Sequence, residues 1–349
     1  MKQSIAIVGG GIIGLTIAAT LRQRPGTEVT VLERDIAGQG ASARSAGLHF
    51  PIGSTALVRQ MTAESQAYYE SEIAKSPEGP ICQVPMRAHM QTGGDHAIFE
   101  RFLPQAQLQP LAHPGPRVSP HGIDTWFVSG AHWCDVPLRV RMLKNRLQGH
   151  ATLREGCRVK ALNDTPRGAE VTLSDDTVHR FDRVILAPGP WSAAPEFARF
   201  VKPLGISTKR IVAFHIDAPA SLDDAAEVFL NEDAFLLPLP CQGRWLFSYT
   251  CQEWDVSPDA PGYGITQAHR AAAADVLGRY VPQWVEKLSG GRIFCDAYSP
   301  DYTPVIRPVS AHDNIIFAGA ANGAGYRLAP AIARRAADFA FAQILETTS

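Results

Sequence analysis

A strong charge of either sign is missing from this chain. Its 349 residues carry 33 Lys and Arg against 34 Asp and Glu, a formal net charge of −1. No field of one sign therefore draws it to nucleic acid or to an anionic membrane surface. Cysteine is sparse: Cys82, Cys134, Cys157, Cys241, Cys251 and Cys295 are scattered, with no C-x-x-C pair. At that spacing they read as reduced thiols in a reducing compartment, not as a disulfide framework. The eleven histidines form no H-x-x-x-H or H-E-x-x-H group, so no metal site is expected. Long apolar runs are absent too. The one apolar stretch near the start is broken by Gly9, Gly10, Gly11 and Gly14, which argues against a signal core or a transmembrane segment. Cytoplasmic location is the default expectation. No repeat, low-complexity tract or long linker divides the chain.

What is present is concentrated in residues 1–34, which read as strand, glycine turn, helix, strand, acid. Ser4 to Val8 suits a buried parallel strand, and Gly9, Gly11 and Gly14 supply G-x-G-x-x-G directly after it. A helical pattern follows, broken by Pro25-Gly26. Val29 to Leu32 makes a second strand, and Glu33 closes the unit. This is a dinucleotide fingerprint in its required context. Gly9 serves the tight turn, Gly11 lets a pyrophosphate approach the backbone, and Gly14 lets helix pack on sheet. The helix start, with Ile12 and Ile13, offers N–H groups and a positive dipole end to phosphate. Glu33 can accept from ribose hydroxyls and would repel a 2′-phosphate, which disfavours NADP. Arg34 lines the adenosine in this reading, or is solvated.

Further along, Gly38 to Phe50 is small, polar and suited to close ligand contact. Ala56 to Glu72 reads as a helix with Leu57, Met61, Ser65, Tyr68 and Tyr69 on one face. Asp135 is the expected N-cap of another helix, with Pro137 in its first turn. Strand-like runs follow at 157–162, 170–173 and 177–181. Val184 to Ala187 then ends in Pro188-Gly189-Pro190-Trp191, a turn at the carboxyl end of a strand, where open α/β sheets place ligands. Residues 201–294 are strand-rich, with candidates at 211–216, 226–230, 234–237 and 244–249 and a helix over 266–276. Near the end, Asn314 to Ala318 is a buried strand, Gly319 to Arg327 a second glycine-rich turn, and Leu328 to Ala331 the expected opening of a last helix. That repetition of strand, glycine loop and helix reads as a second cofactor region.

With these segments in this order, the chain resembles the D-amino-acid oxidase family of FAD-dependent oxidoreductases. The likeness rests on the opening fingerprint, Ala41 to His49, Val184 to Trp191, Pro300-Asp301-Tyr302-Thr303-Pro304-Val305-Ile306, and Ala318 to Pro330. Within the family the chain is most similar to the D-arginine dehydrogenase, glycine oxidase and sarcosine oxidase branches. The resemblance implies FAD as cofactor and an α/β fold (α+β taken whole). A discontinuous Rossmann-like FAD-binding domain (1–80, 133–200 and 296–349) would be joined to a mostly β-sheet substrate domain (81–132 and 201–295). It implies oxidation of a C–N bond of an amino acid or a secondary or cyclic amine by hydride transfer to flavin N5, giving an imine. The electron acceptor stays open between O2 and a quinone or other carrier.

Cofactor contacts implied by the resemblance fall on Gly9, Gly11, Ile12, Ile13, Gly14, Glu33, Arg34, Ala41, Ser42, Arg44, Ser45, Ala46, Gly47, Leu48, Val159, Ala187, Gly189 and Trp191. They continue in the closing region on Gly323, Ala324, Gly325, Tyr326, Arg327 and Leu328. For substrate and chemistry the candidates are His49, Arg210, Tyr249 and Tyr298. His49 would assist binding or proton transfer, or be satisfied by loop backbone. Arg210 would hold a substrate carboxylate, or lie at a strand end on the surface. The tyrosines would wall an amine pocket, or belong to the core.

Two departures from the family matter. Asp296 stands where members that bind amino-acid carboxylates often have arginine, and Gly323 falls near a second such position. Trp245-Leu246-Phe247 also lacks the lysine that sarcosine oxidase uses toward oxygen, which favours a dehydrogenase. Cys295 is one position from a flavin-linked cysteine, an offset that reverses its face. An FAD-dependent 2-hydroxy-acid dehydrogenase and an FAD-holding subunit of a larger complex are the alternatives.

Overall fold

A computed structural model describes residues 2–119, 121–260 and 264–342. The chain forms two compact units, each discontinuous in sequence: Met1–Ser45 with Asp135–Thr208 and Asp296–Ser349, and Ala46–Cys134 with Lys209–Cys295.

The first unit is built on a six-stranded sheet. Its order is Val305–Pro308, Ile315–Gly319, Arg183–Leu186, Gln3–Val8, Thr27–Leu32, Thr152–Arg154. All neighbours pair in parallel except the edge strand Val305–Pro308, which is antiparallel to Ile315–Gly319. The opening strand pairs Ile5 with Val29 on one side and with Arg183 on the other. Ile5, Ala6 and Ile7 are fully buried, as expected of a strand covered on both faces. The helices Ile12–Leu21 and Gly325–Phe341 pack on each other. A three-stranded antiparallel sheet (Val159–Thr165, Gly168–Leu173, Val178–Phe181) adds Val171 and Leu173 to the same core. The helix Val136–Leu147 begins as its sequence dictates: Asp135 accepts the Leu138 N–H at 2.8 Å, and proline sits in the first turn.

The second unit carries an eight-stranded mixed sheet ordered Leu288–Tyr298, Ser207–Ile216, Arg244–Tyr249, Ala234–Leu239, Ala226–Phe229, Met86–Gln91, Ile123–Phe127, Gln109–Leu111. A small sheet of Leu48–His49, His132–Cys134 and Ile81–Gln83 stands beside it in sequence. Both faces of the large sheet are covered. Along Arg244–Tyr249, Trp245, Phe247 and Tyr249 enter one hydrophobic cluster while Leu246 enters the other, the period-2 alternation of a strand. The helix Gln267–Tyr280 lies on the first of these clusters, starting at a capping box of Thr266 and His269.

Three expectations are corrected. The helix Ala56–Lys75, placed by sequence in the cofactor domain, belongs to the second unit. Its buried face is Val58, Met61, Ser65 and Tyr69, while Leu57 is exposed. The last helix opens at Gly325, three residues before Leu328, and Pro330 lies inside it. Proline there resembles a helix start, but it forgoes only one backbone bond, in the second turn. Among the described residues no helix is long and apolar enough to cross a membrane.

Candidate active site

The opening glycine turn leaves the strand Gln3–Val8 at its carboxyl end. Gly9 has φ +110°, and a Cβ there would sit 2.3 Å from the Ala187 carbonyl oxygen. A Cβ on Gly14 would fall 1.9 Å from the Gly9 carbonyl oxygen. Both glycines are therefore demanded by the protein's own packing. Gly11 differs: within 4 Å of a Cβ there lies only Ser42 Oγ, at 3.3 Å. Gly11 is also the N-cap of Ile12–Leu21 and supplies no side-chain cap. The turn is thus a half-buried run of backbone at a helix start with room beside Gly11, a setting suited to a pyrophosphate. Ser42 braces it by accepting the Ile12 N–H at 2.9 Å.

Glu33 holds the same turn from the next strand. Its Oε2 accepts the Gly10 N–H at 2.7 Å and its Oε1 accepts the Asp35 N–H at 2.9 Å. A carboxylate has about four acceptor sites, so capacity for ribose hydroxyls remains. Arg34 lies over the Trp191 ring at 4.2 Å, and Trp191 in turn packs on Gly40, where a Cβ would be 3.0 Å from the ring. Arg44 donates to the carbonyls of Gln39 and Gly40, at 2.9 and 3.3 Å, fixing the segment that carries Ala41 and Ser42. Ala187 donates to the Val8 carbonyl at 2.8 Å, and Gly189 follows at φ +58°. Val159 is buried in the core and pairs with Leu173 in the three-stranded sheet. Ser45 ends the first unit. Ala46, Gly47 and Leu48 begin the second, where Trp133 Nε1 donates to the Ala46 carbonyl at 2.9 Å and Leu48 pairs with Trp133.

The closing glycine turn comes to the same place in the first unit. A Cβ on Gly325 would lie 4.0 Å from Ile13 Cδ1, so the starts of the two helices are neighbours. Ala324 is the N-cap of the closing helix, with no side-chain cap bond. Tyr326 and Leu328 turn into the core and Arg327 is half-buried. Asn322, absent from the residues expected at the site, is the latch of this turn. It has φ +55°, its Oδ1 accepts the Ser299 N–H at 2.9 Å, and its own N–H reaches the Ala297 carbonyl at 3.2 Å. The Asn-Gly pair at 322–323 was the available signal. Gly323, at φ +77°, lies under Tyr298, whose hydroxyl is 3.1 Å from the position of a Cβ.

Of the four residues expected to handle substrate, Tyr298 belongs to the first unit and adjoins its closing glycine turn. The other three belong to the second unit and are engaged there. His49 is completely buried; its Nε2 is 2.5 Å from Gln66 Oε1, and its ring stacks on His132 at 4.4 Å and meets the edge of Tyr69. Burial pulls the His132 imidazole down to about 3. Arg210 is ion-paired to Glu253 at 2.8 Å rather than lying open on the surface. Tyr249 is in the core with Phe214 and Phe247, and burial pushes its hydroxyl pKa upward.

One acid completes the description. The strand Leu288–Tyr298 alternates at its end: Cys295 and Ala297 are buried, Asp296 and Tyr298 half-buried on the other face. The Asp296 side chain has no hydrogen bond or ion pair among the described residues, and loss of solvent pushes its carboxyl up to about 7. Among those residues one group has metal-ligand chemistry: Cys251, Glu253 and His269, with ligand atoms within 4.8 Å. Its donors are committed. His269 Nδ1 accepts the Thr266 N–H at 3.1 Å, so Nε2 carries the proton and gives it to Glu253 at 2.7 Å.

A family model described as DAO, FAD dependent oxidoreductase, matches residues 4–339. No curated protein matches. Among solved structures, glycine oxidase from Geobacillus kaustophilus superposes with a TM-score of 0.79 at 17% identity, over 97% of this chain and 95% of that one. L-proline dehydrogenase from P. horikoshii gives 0.81 at 16%, over 98% and 94%. L-α-glycerophosphate oxidase from Mycoplasma pneumoniae, with FAD bound, gives 0.78 at 17%, over 97% and 95%.

Proposed function

This chain belongs to the DAO family of FAD-dependent oxidoreductases, and on that premise we propose that it oxidises a C–N bond of an amino acid or a secondary or cyclic amine, leaving an imine. Bound FAD supplies the hydride acceptor. The chain supplies the grip. The helix start after Gly11, braced by Ser42 at Ile12, would hold the pyrophosphate, Glu33 the ribose, and Arg34 with Trp191 the adenosine side. The start of the closing helix, at Gly325 with Ala324 as its N-cap, would turn its positive end toward the bound ring system. Tyr298 stands next to that turn, where a substrate-facing hydroxyl would be needed. Two of the three similar structures are named for amino acids, glycine and L-proline; the third is named for glycerophosphate, so the fold by itself leaves the bond open.

The observation that carries nitrogen over oxygen is Asp296. A 2-hydroxy acid has only negative charge to present to an unpaired carboxylate, whereas an amine arrives with, or in equilibrium with, a positive one. The test is an anaerobic absorbance scan of the purified flavoprotein against amines, amino acids and 2-hydroxy acids. Bleaching by amines or amino acids and not by hydroxy acids is expected. Bleaching by hydroxy acids alone would replace this reading with the alcohol-oxidising one. A flavin that no small molecule reduces until a second protein is added would make the chain an FAD-holding subunit.

A further inference from the structure

Burying a carboxylate without a partner is costly, and folded proteins ordinarily pair such a group or leave it in water. Asp296 has neither arrangement: it is half-buried and has no partner among the described residues. It is also well placed. It lies two residues before Tyr298 on the same face of the strand, about 7 Å away by strand geometry. Tyr298 in turn reaches over Gly323 at the closing turn. The backbone around it is fixed, because Asn322 ties Ala297 and Ser299 to that turn. A fixed, unpaired acid on this face fits a ligand that brings the missing positive charge.

Resting on the C–N reading above, we infer that Asp296 is the substrate-binding carboxylate of this protein. It pairs with the substrate ammonium and selects amines whose other end is uncharged over free amino acids. The elevated pKa agrees with this: with nothing opposite it the carboxyl resists ionisation, and a bound cation would reverse that. A free α-amino acid brings a carboxylate within a few ångströms of its ammonium, and that second charge opposes Asp296. Amides, esters and simple amines do not carry it.

The test uses two ligands that differ only in this charge. 2-Aminoisobutyrate and 2-aminoisobutyramide have no hydrogen on the carbon bearing nitrogen, so neither can be oxidised there and binding is read by calorimetry on the holoprotein. The amide should bind about tenfold or more tightly than the free acid, equivalent to about 1.4 kcal/mol. Asp296→Asn, with flavin content checked by absorbance, should erase the preference, and Asp296→Arg should reverse it. Equal binding of the two by the unaltered protein, tighter binding of the free acid, binding of neither, or a preference that survives Asp296→Asn would each overturn the inference. Reaction is scored separately on the panel of amines, amino acids and 2-hydroxy acids: if none of its nitrogen compounds bleaches the flavin while the Asp296-dependent preference holds, the C–N reading falls and the charge recognition stands.

Discussion

Acid should unfold this protein in part through one imidazole. His132 is 2% exposed, stacked on His49 and edged by Tyr69, and burial lowers its pKa from 6.5 to about 3. In the unfolded chain the same group returns to about 6.5. The sign follows from proton uptake. Between the two values the unfolded state binds a proton that the folded state refuses, so stability is complete above about pH 6.5 and is lost as pH falls toward 3. For a shift of this size, linkage gives a loss of about 2 kcal/mol between pH 8 and pH 5. His132→Gln, which stays neutral throughout, should have a lower stability at pH 8 from imperfect packing, and a pH 8-to-5 loss smaller than that of the unaltered protein by about 2 kcal/mol. The assay is urea unfolding at both pH values with saturating FAD, so that the ligand's stabilisation is common to each pair. Comparing the two proteins cancels the carboxylates. An identical pH dependence in both would refute the reasoning.

Two further outcomes follow from buried geometry. Glu227 is fully buried, with its carboxylate bound to Arg87 (Nε at 3.0 Å) and to His89 Nε2 at 2.8 Å; Glu227→Leu should cost about 3–5 kcal/mol in urea unfolding because two donors lose their acceptor, and a change under about 1 kcal/mol would contradict that. Gly14→Ala should lower both the unfolding midpoint and FAD affinity, whereas Gly11→Ala should weaken FAD by about tenfold or more with the midpoint of the FAD-free protein unchanged; equal effects of the two on that midpoint would sink the distinction.

The parts legible in sequence were those governed by local rules. The opening strand, its glycine turn and Glu33 lie within thirty-odd residues, and each obeys a steric or periodic constraint that needs no partner from elsewhere. The Asp135 cap and the strand over Arg244–Tyr249 were readable for the same reason. Non-local pairs were not readable. Glu227 meets His89 across 138 positions, and nothing near either residue announces the other. Arg210 looked like an open clamp because Glu253 enters only once the sheet is formed. The strand Leu288–Tyr298 was hidden by Gly290-Gly291, which reads as a turn. In the fold, Gly291 is required because a Cβ would be 2.1 Å from the Ala213 carbonyl oxygen, and glycine inside a strand marks such close approach.

That steric test separates two kinds of glycine inside one motif. Gly9 and Gly14 are already excluded from carrying a side chain by atoms of the chain itself, at 2.3 and 1.9 Å. Any protein needing this tight strand–helix joint would keep them, with or without a cofactor. Gly11 has φ −74° and ψ −177°, a conformation open to every residue, and its nearest obstacle is a serine hydroxyl at 3.3 Å. The fold gives little reason for glycine there. The reason lies in what must come close to the turn from outside, and the positive end of the adjoining helix favours a visitor with negative charge. The specific content of the fingerprint thus rests on its middle glycine, the one position where the chain's own packing is nearly indifferent.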